Sequence, residues 1–165
     1  FGHSSTGEVS VARPPRLIRR YALAGAVLVA ATLGIGLRGW GAPGPAIDAA
    51  DRQLVARGLP LYREHCASCH GADLQGEPDW RTRKANGRLP APPHDASGHT
   101  WHHSDAQLIE MTRKGPGEIV PGYQSDMPGF ATVLNDSEII AILAYVKSTW
   151  SIAIRAKQDV RNEKQ

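Results

Sequence analysis

The chain has only two cysteines, and both lie in "YREHCASCHGADLQG", Tyr62 to Gly76, with Cys66 and Cys69 three positions apart and His70 directly after them. A C-x-x-C pair can be a redox disulfide, half of a zinc site, a structural bridge or an attachment point for haem. A zinc site needs about four Cys, His or carboxylate ligands, and the chain has no second cysteine pair. A dithiol redox motif belongs near a strand-helix-strand pattern, which is missing here. Only the haem reading requires the histidine. Two thiols at this spacing can each add to one vinyl group of the porphyrin, and the imidazole that follows comes under the iron as its proximal ligand. The expectation is one covalently bound haem c per chain, attached through Cys66 and Cys69 and ligated by His70.

An iron with one protein ligand has a sixth position to fill, and the chain offers two methionines. Met111 lies in the middle of a predicted helix, "LIEMTRK", and reads as a core residue. Met127 lies in "GYQSDMPGF", a loop broken by glycine and proline that can drape over a cofactor face, and it is the expected distal ligand. A thioether favours ferrous iron and raises the reduction potential relative to a second histidine. Such a site is closed, six-coordinate and suited to passing single electrons.

Three helices are predicted around this site. The first runs from about Asp51 to the cysteines, with Leu54, Val55, Leu59, Leu61 and Tyr62 apolar; Pro60 inside it predicts a kink or a late start. The second runs from Ser104 to about Lys114, opened by a Ser104/Gln107 capping box and stopped by Gly115 and Pro116. The third is capped by Asn135 with Glu138, stapled by Leu134 to Ile139, and carries Ile139, Ile140, Ile142, Leu143 and Val146 on its apolar face. No strand alternation competes with these, so the fold class is all-α. Three short helices make a small core, and the domain is expected to be largely unfolded without its haem.

The formal net charge of +3 suggests an acidic partner until its distribution is read. Five arginines and one acid precede Ile47, leaving fourteen Lys and Arg against fifteen Asp and Glu in the remainder. A nearly neutral main domain gives no support to nucleic-acid binding. The excess charge flanks "YALAGAVLVAATLGIGL", Tyr21 to Leu37, a run without a charge that would make a helix roughly 25 Å long at about 1.5 Å per residue. That is near the lower limit for a bilayer span. The preceding "RPPRLIRR" favours a cytoplasmic start and a periplasmic haem domain. A cleaved signal peptide is the competing account, against which stand the long stretch before the apolar run and the weak cleavage site in "RGWGAPGPA". The organisation expected is a basic segment over 1–20, an anchor over 21–40, a linker over 41–50, a haem domain over 51–150 and a polar tail over 151–165.

From about Val55 to Trp150 the chain resembles a class I monohaem cytochrome c. The resemblance rests on "GLPLYREHCASCHG" at the attachment site, "DMPGF" at the distal ligand and "LNDSEIIAILAYVKSTW" as the last helix. It implies thioethers at Cys66 and Cys69, His70 as proximal and Met127 as distal ligand, and a crossing of Gly58 and Tyr62 over the last helix near Ala144 and Tyr145. It also implies a proline carbonyl, from Pro92 or Pro93, accepting the Nδ1 proton of His70. The chain departs from the family at Pro60 and in a long insert between Asp73 and Ser104.

Within that insert Trp101 and His102 are candidates to donate to haem propionates. Arg81, Arg83, Lys84 and Arg88 read either as a solvated loop or as a docking patch for an acidic redox partner. His94, His99, His102 and His103 fall within ten residues and raise the question of a second metal, copper or zinc, against plain loop histidines. No carboxylate pair, nucleophile triad or phosphate loop suggests chemistry beyond the haem. The expected function is electron carriage by a membrane-tethered periplasmic protein between membrane or periplasmic redox enzymes, alone or as the cytochrome subunit of a complex. The alternative is a haem enzyme or sensor that binds peroxide, nitric oxide or carbon monoxide at an open sixth position.

Overall fold

The computed structural model describes residue 2 and residues 46–164. The expected basic segment and membrane anchor, and most of the linker, lie outside the described residues. Among the described residues no helix is long and apolar enough to cross a membrane, and none forms a strand.

Among the described residues six α-helices follow one another: α1 (Arg52–His65), α2 (Ala67–His70), α3 (Asp105–Lys114), α4 (Pro116–Ile119), α5 (Asp136–Ser148) and α6 (Ile152–Asn162), with a 3-10 turn at Thr100–His102 before α3. The long helices begin where side chains can satisfy the free amides of a first turn. Asp51 accepts from Gln53 and Leu54, and both predicted capping boxes, Ser104 with Gln107 and Asn135 with Glu138, are formed.

Pro60 does not interrupt α1, which starts at Arg52 and runs through it to His65. The donor that proline lacks would have served the carbonyl of Ala56. Both residues are exposed, so water can take that carbonyl and the expected late start is avoided.

The core is the seam between α1 and α5. Tyr62, Ile139 and Ala144 are fully buried in it. Gly58 sets the closeness of approach: a Cβ there would stand 1.9 Å from the carbonyl oxygen of Ala141. Tyr62 packs on Tyr145 with ring centroids 5.3 Å apart. The crossing therefore falls at Tyr145, as expected, with Ala141 rather than Ala144 as the point of closest approach.

The segment after Trp150 is not a free polar tail. Ser151 caps α6, and the helix docks through polar side chains. Gln158, fully buried, donates to Asp105 Oδ1 at 2.9 Å. Asn162 accepts from the Asp105 amide at 2.8 Å. Asp105 also holds the buried Lys147 ammonium at 2.7 and 2.9 Å and the amide of Ile47 at 2.9 Å. One carboxylate thus ties α3, α5, α6 and the chain entering α1.

Candidate functional site

The attachment sequence folds as the last turn of α1 followed by α2. The amide of His70 reaches the carbonyl of Cys66 at 2.9 Å, so the histidine sits one turn after the first cysteine. Cys66 and Cys69 are both free thiols, the first half-buried and the second exposed. Burial, and then the neighbouring Cys69, push the Cys66 thiol up to about 12, so it stays neutral until it is consumed in a bond.

His70 is buried, and its Nδ1 lies 2.8 Å from the carbonyl oxygen of Pro92. A carbonyl only accepts, so the proton sits on Nδ1 and the Nε2 lone pair is available to a metal. Burial holds His70 below the ordinary histidine value, opposed by the Pro92 bond and the charge of Glu77. The imidazole is therefore neutral, as a metal ligand must be. Between Pro92 and Pro93, the structure selects Pro92. The carbonyl of Pro93 receives only a long bond, 3.4 Å, from the Thr100 hydroxyl.

Local backbone conformation brings Pro92 to the histidine. Gly76, at φ +69°, donates to the carbonyl of His70 at 2.7 Å. A Cβ on Gly76 would lie 2.5 Å from the Pro93 nitrogen, so only glycine admits this approach. Leu74 also has positive φ, +67°, and its carbonyl receives the amide of His94 at 2.8 Å. Tyr62 Oη donates to the Gly71 carbonyl at 2.9 Å, fastening the turn to the α1–α5 seam.

On the other side of the sequence, Met127 is half-buried in the loop between α4 and α5. Its amide donates to Ser125 Oγ at 3.0 Å. Just beyond it, the amides of Phe130 and Ala131 donate to the carbonyls of Thr112 and Arg113, which fixes the loop to the end of α3. Met111 packs against the core instead.

The remaining candidates separate. Trp101 is half-buried, and its Nε1–H is buried without a partner among the described residues. His102 is exposed and its Nδ1 accepts from Arg161 at 3.1 Å, which ties it to α6. The four insert histidines do not converge on a metal, and no group of metal-ligating side chains is present among the described residues. His94 stacks on His70 and bonds the Thr100 hydroxyl. His99 stacks on Trp80, with His103 edge-on at 5.6 Å. The basic group is likewise partly consumed. Lys84 pairs with Glu77 at 3.1 Å, and Arg88 pairs with Asp126.

The stacking of His94, read from sequence only as a candidate second-metal ligand, on His70 and the pairing of Asp126 with the insert are contributions that sequence reading missed. Neither has a spacing that marks it, since each meets its partner through the folding of the insert.

These residues fit a covalently held haem. Two unpaired thiols lie beside a neutral imidazole of fixed tautomer, and a buried indole N–H has no partner among the described residues. Similarity to known proteins agrees with a covalently bound haem. The family model described as cytochrome c matches residues 55–150. The cytochrome bc1 complex cytochrome c subunit of Mycobacterium tuberculosis is 37% identical over 83 residues, covering 48% of this chain and 30% of that subunit. The cbb3-type cytochrome c oxidase subunit CcoP of Azospirillum is 31% identical over 98 residues, covering 59% of this chain and 29% of that protein. The chain thus spans about 30% of the length of these curated relatives. No solved structure matches.

Proposed function

The chain belongs to the cytochrome c family, and from that premise we propose that it carries single electrons through one haem c bound to Cys66 and Cys69, with His70 and Met127 as axial ligands. The observation that carries this reading is the 2.8 Å contact of His70 Nδ1 with Pro92 O, made one residue after the second thiol. When bound, the haem supplies a reversible one-electron iron couple. Pro92 orients His70 and makes its Nε2 a stronger donor. Met127, offered on a loop tied to α3, closes the sixth position and favours the reduced state.

The relatives are named as subunits of a bc1 complex and of a cbb3-type oxidase. That supports a respiratory setting, in which this protein exchanges electrons with membrane redox enzymes or belongs to one of them. The apolar run Tyr21 to Leu37 with arginines before it supports a tether in the cytoplasmic membrane and a haem domain in the periplasm. Tethering raises the effective concentration of membrane partners. Fractionation of cells tests it: haem protein that stays soluble and starts beyond Leu37 would show a cleaved signal.

The optical spectrum of the oxidised, reduced and carbon monoxide-treated protein tests the site. A sharp reduced α band, a weak far-red band when oxidised and indifference to carbon monoxide are expected. A prompt shift with carbon monoxide would mean an open sixth position, and ligand binding or peroxide chemistry would replace electron carriage.

A further inference from the structure

The insert carries a rigid basic turn aimed at the residue before Met127. The turn is closed by the amides of Lys84 and Gly87, which donate to the carbonyls of Arg88 and Lys84 at 2.8 and 2.9 Å. Arg83 holds the Gly87 carbonyl at 2.6 Å. At the base of the insert Glu77 receives the Ala91 amide at 2.6 Å and Lys84 at 3.1 Å. From this frame Arg88 pairs with Asp126, and Lys84 stands 3.9 Å from the same carboxylate.

The two sides of Met127 are held differently. After it, backbone bonds join Phe130 and Ala131 to α3. Before it, the contacts of Asp126 are the only hydrogen bonds or ion pairs that residues 121–127 make outside their own stretch and its neighbour Val120, among the described residues. We propose that Lys84 and Arg88 act as a strap on Asp126 that positions the Met127 loop, so that the insert sets how readily Met127 leaves the iron. The inference rests on Met127 being the distal ligand.

The strap is electrostatic and partly exposed, with Arg88 and Asp126 side chains 41% and 46% accessible. Its effect is accordingly modest and sensitive to salt. The test is the rate at which cyanide displaces Met127 in the ferric, haem-loaded full chain, at low and high ionic strength. Asp126→Asn is expected to speed displacement roughly two- to fivefold at low salt and to flatten the salt dependence. The exchanged pair Arg88→Asp with Asp126→Arg is expected to restore both. Glu110→Gln, which breaks the similarly exposed pair with Lys114, is expected to change neither. Equal rates and equal salt dependence in wild type and Asp126→Asn, with the far-red band intact in both, overturn the strap alone. A wild-type protein that lacks the far-red band and binds carbon monoxide at once removes Met127 from the iron, and the strap falls with it.

Discussion

The imidazole of His94 lies face to face with that of His70, ring centroids 3.9 Å apart and planes 22° from parallel. His94 is itself held by its Nδ1 to the Thr100 hydroxyl at 2.8 Å, by its amide to Leu74, and by its carbonyl to Trp150 Nε1 at 2.8 Å. Burial, with His70 and His99 nearby, keeps it well below the ordinary histidine value and hence neutral. The histidine proposed as iron ligand is thus braced in two directions, by the Pro92 carbonyl at its Nδ1 and by a ring across its face. His94→Ala is expected to cost about 1–3 kcal/mol in chemical denaturation of the haem protein. His94→Phe, which keeps a ring, should recover most of that loss.

Trp101 carries a buried N–H without a partner among the described residues. An unsatisfied donor costs free energy, so a simple orphan should be improved by Trp101→Phe. A donor to a haem propionate behaves differently. Its loss should shift the reduction potential on the order of tens of millivolts, where about 59 mV is a tenfold change for one electron. Potentiometric titration of the two proteins separates the cases, and the shift is the expected result.

Lys147 and Asp105 are 4% and 5% exposed and bonded through both carboxylate oxygens. Asp105→Ala would leave an ammonium buried without its partner, at a cost of about 3–5 kcal/mol. Adding Lys147→Met should return part of that loss, although the bonds to Ile47, Gln158 and Asn162 stay broken. Denaturant midpoints of the single and double variants measure it.

Gly58 gives a prediction of opposite sign to its helix propensity. Glycine to alanine inside an exposed helix gains about 0.5–1 kcal/mol. Here the added methyl would meet the Ala141 carbonyl, a backbone group that cannot turn aside. Gly58→Ala should instead destabilise the haem protein by about 1–3 kcal/mol, visible as a lower Tm.

His99 and His103 are both held below the ordinary histidine value, chiefly by burial and then by His102 in the case of His99 and by His99 in the case of His103. The folded protein therefore resists protonation that the unfolded chain accepts. Their contribution to stability is intact above the ordinary histidine value and is lost as the pH falls below it toward the depressed folded values. Denaturation midpoints should drop between neutral pH and pH 5, and less steeply in the His99→Gln, His103→Gln double variant.

Much of the fold and attachment site was legible because the signals are local. Capping at Asn135 with Glu138 and at Ser104 with Gln107 needs only residues three apart, and both form. The Cys66, Cys69 and His70 spacing is chemistry written within a single turn. The late start predicted from Pro60 failed because a proline's cost depends on whether the freed carbonyl is wet, which is a tertiary fact. The helix Ile152–Asn162 escaped notice for a related reason. Its seam is made by Gln158 and Asn162, and a search for apolar periodicity cannot see a helix docked through hydrogen bonds.

The sequence by itself determined the cofactor chemistry, the helical class and the choice of Met127 over Met111 as the ligand to test, since each depends on residue type and short spacing. Only the tertiary structure decided that Pro92 rather than Pro93 receives the His70 proton, that His94 braces His70 instead of joining a metal cluster, and that Arg88 reaches Asp126. Those pairs are separated by 22, 24 and 38 residues. Their meeting depends on how the insert closes, through Gly76, Leu74 and Glu77, and no periodicity along the chain encodes that closure.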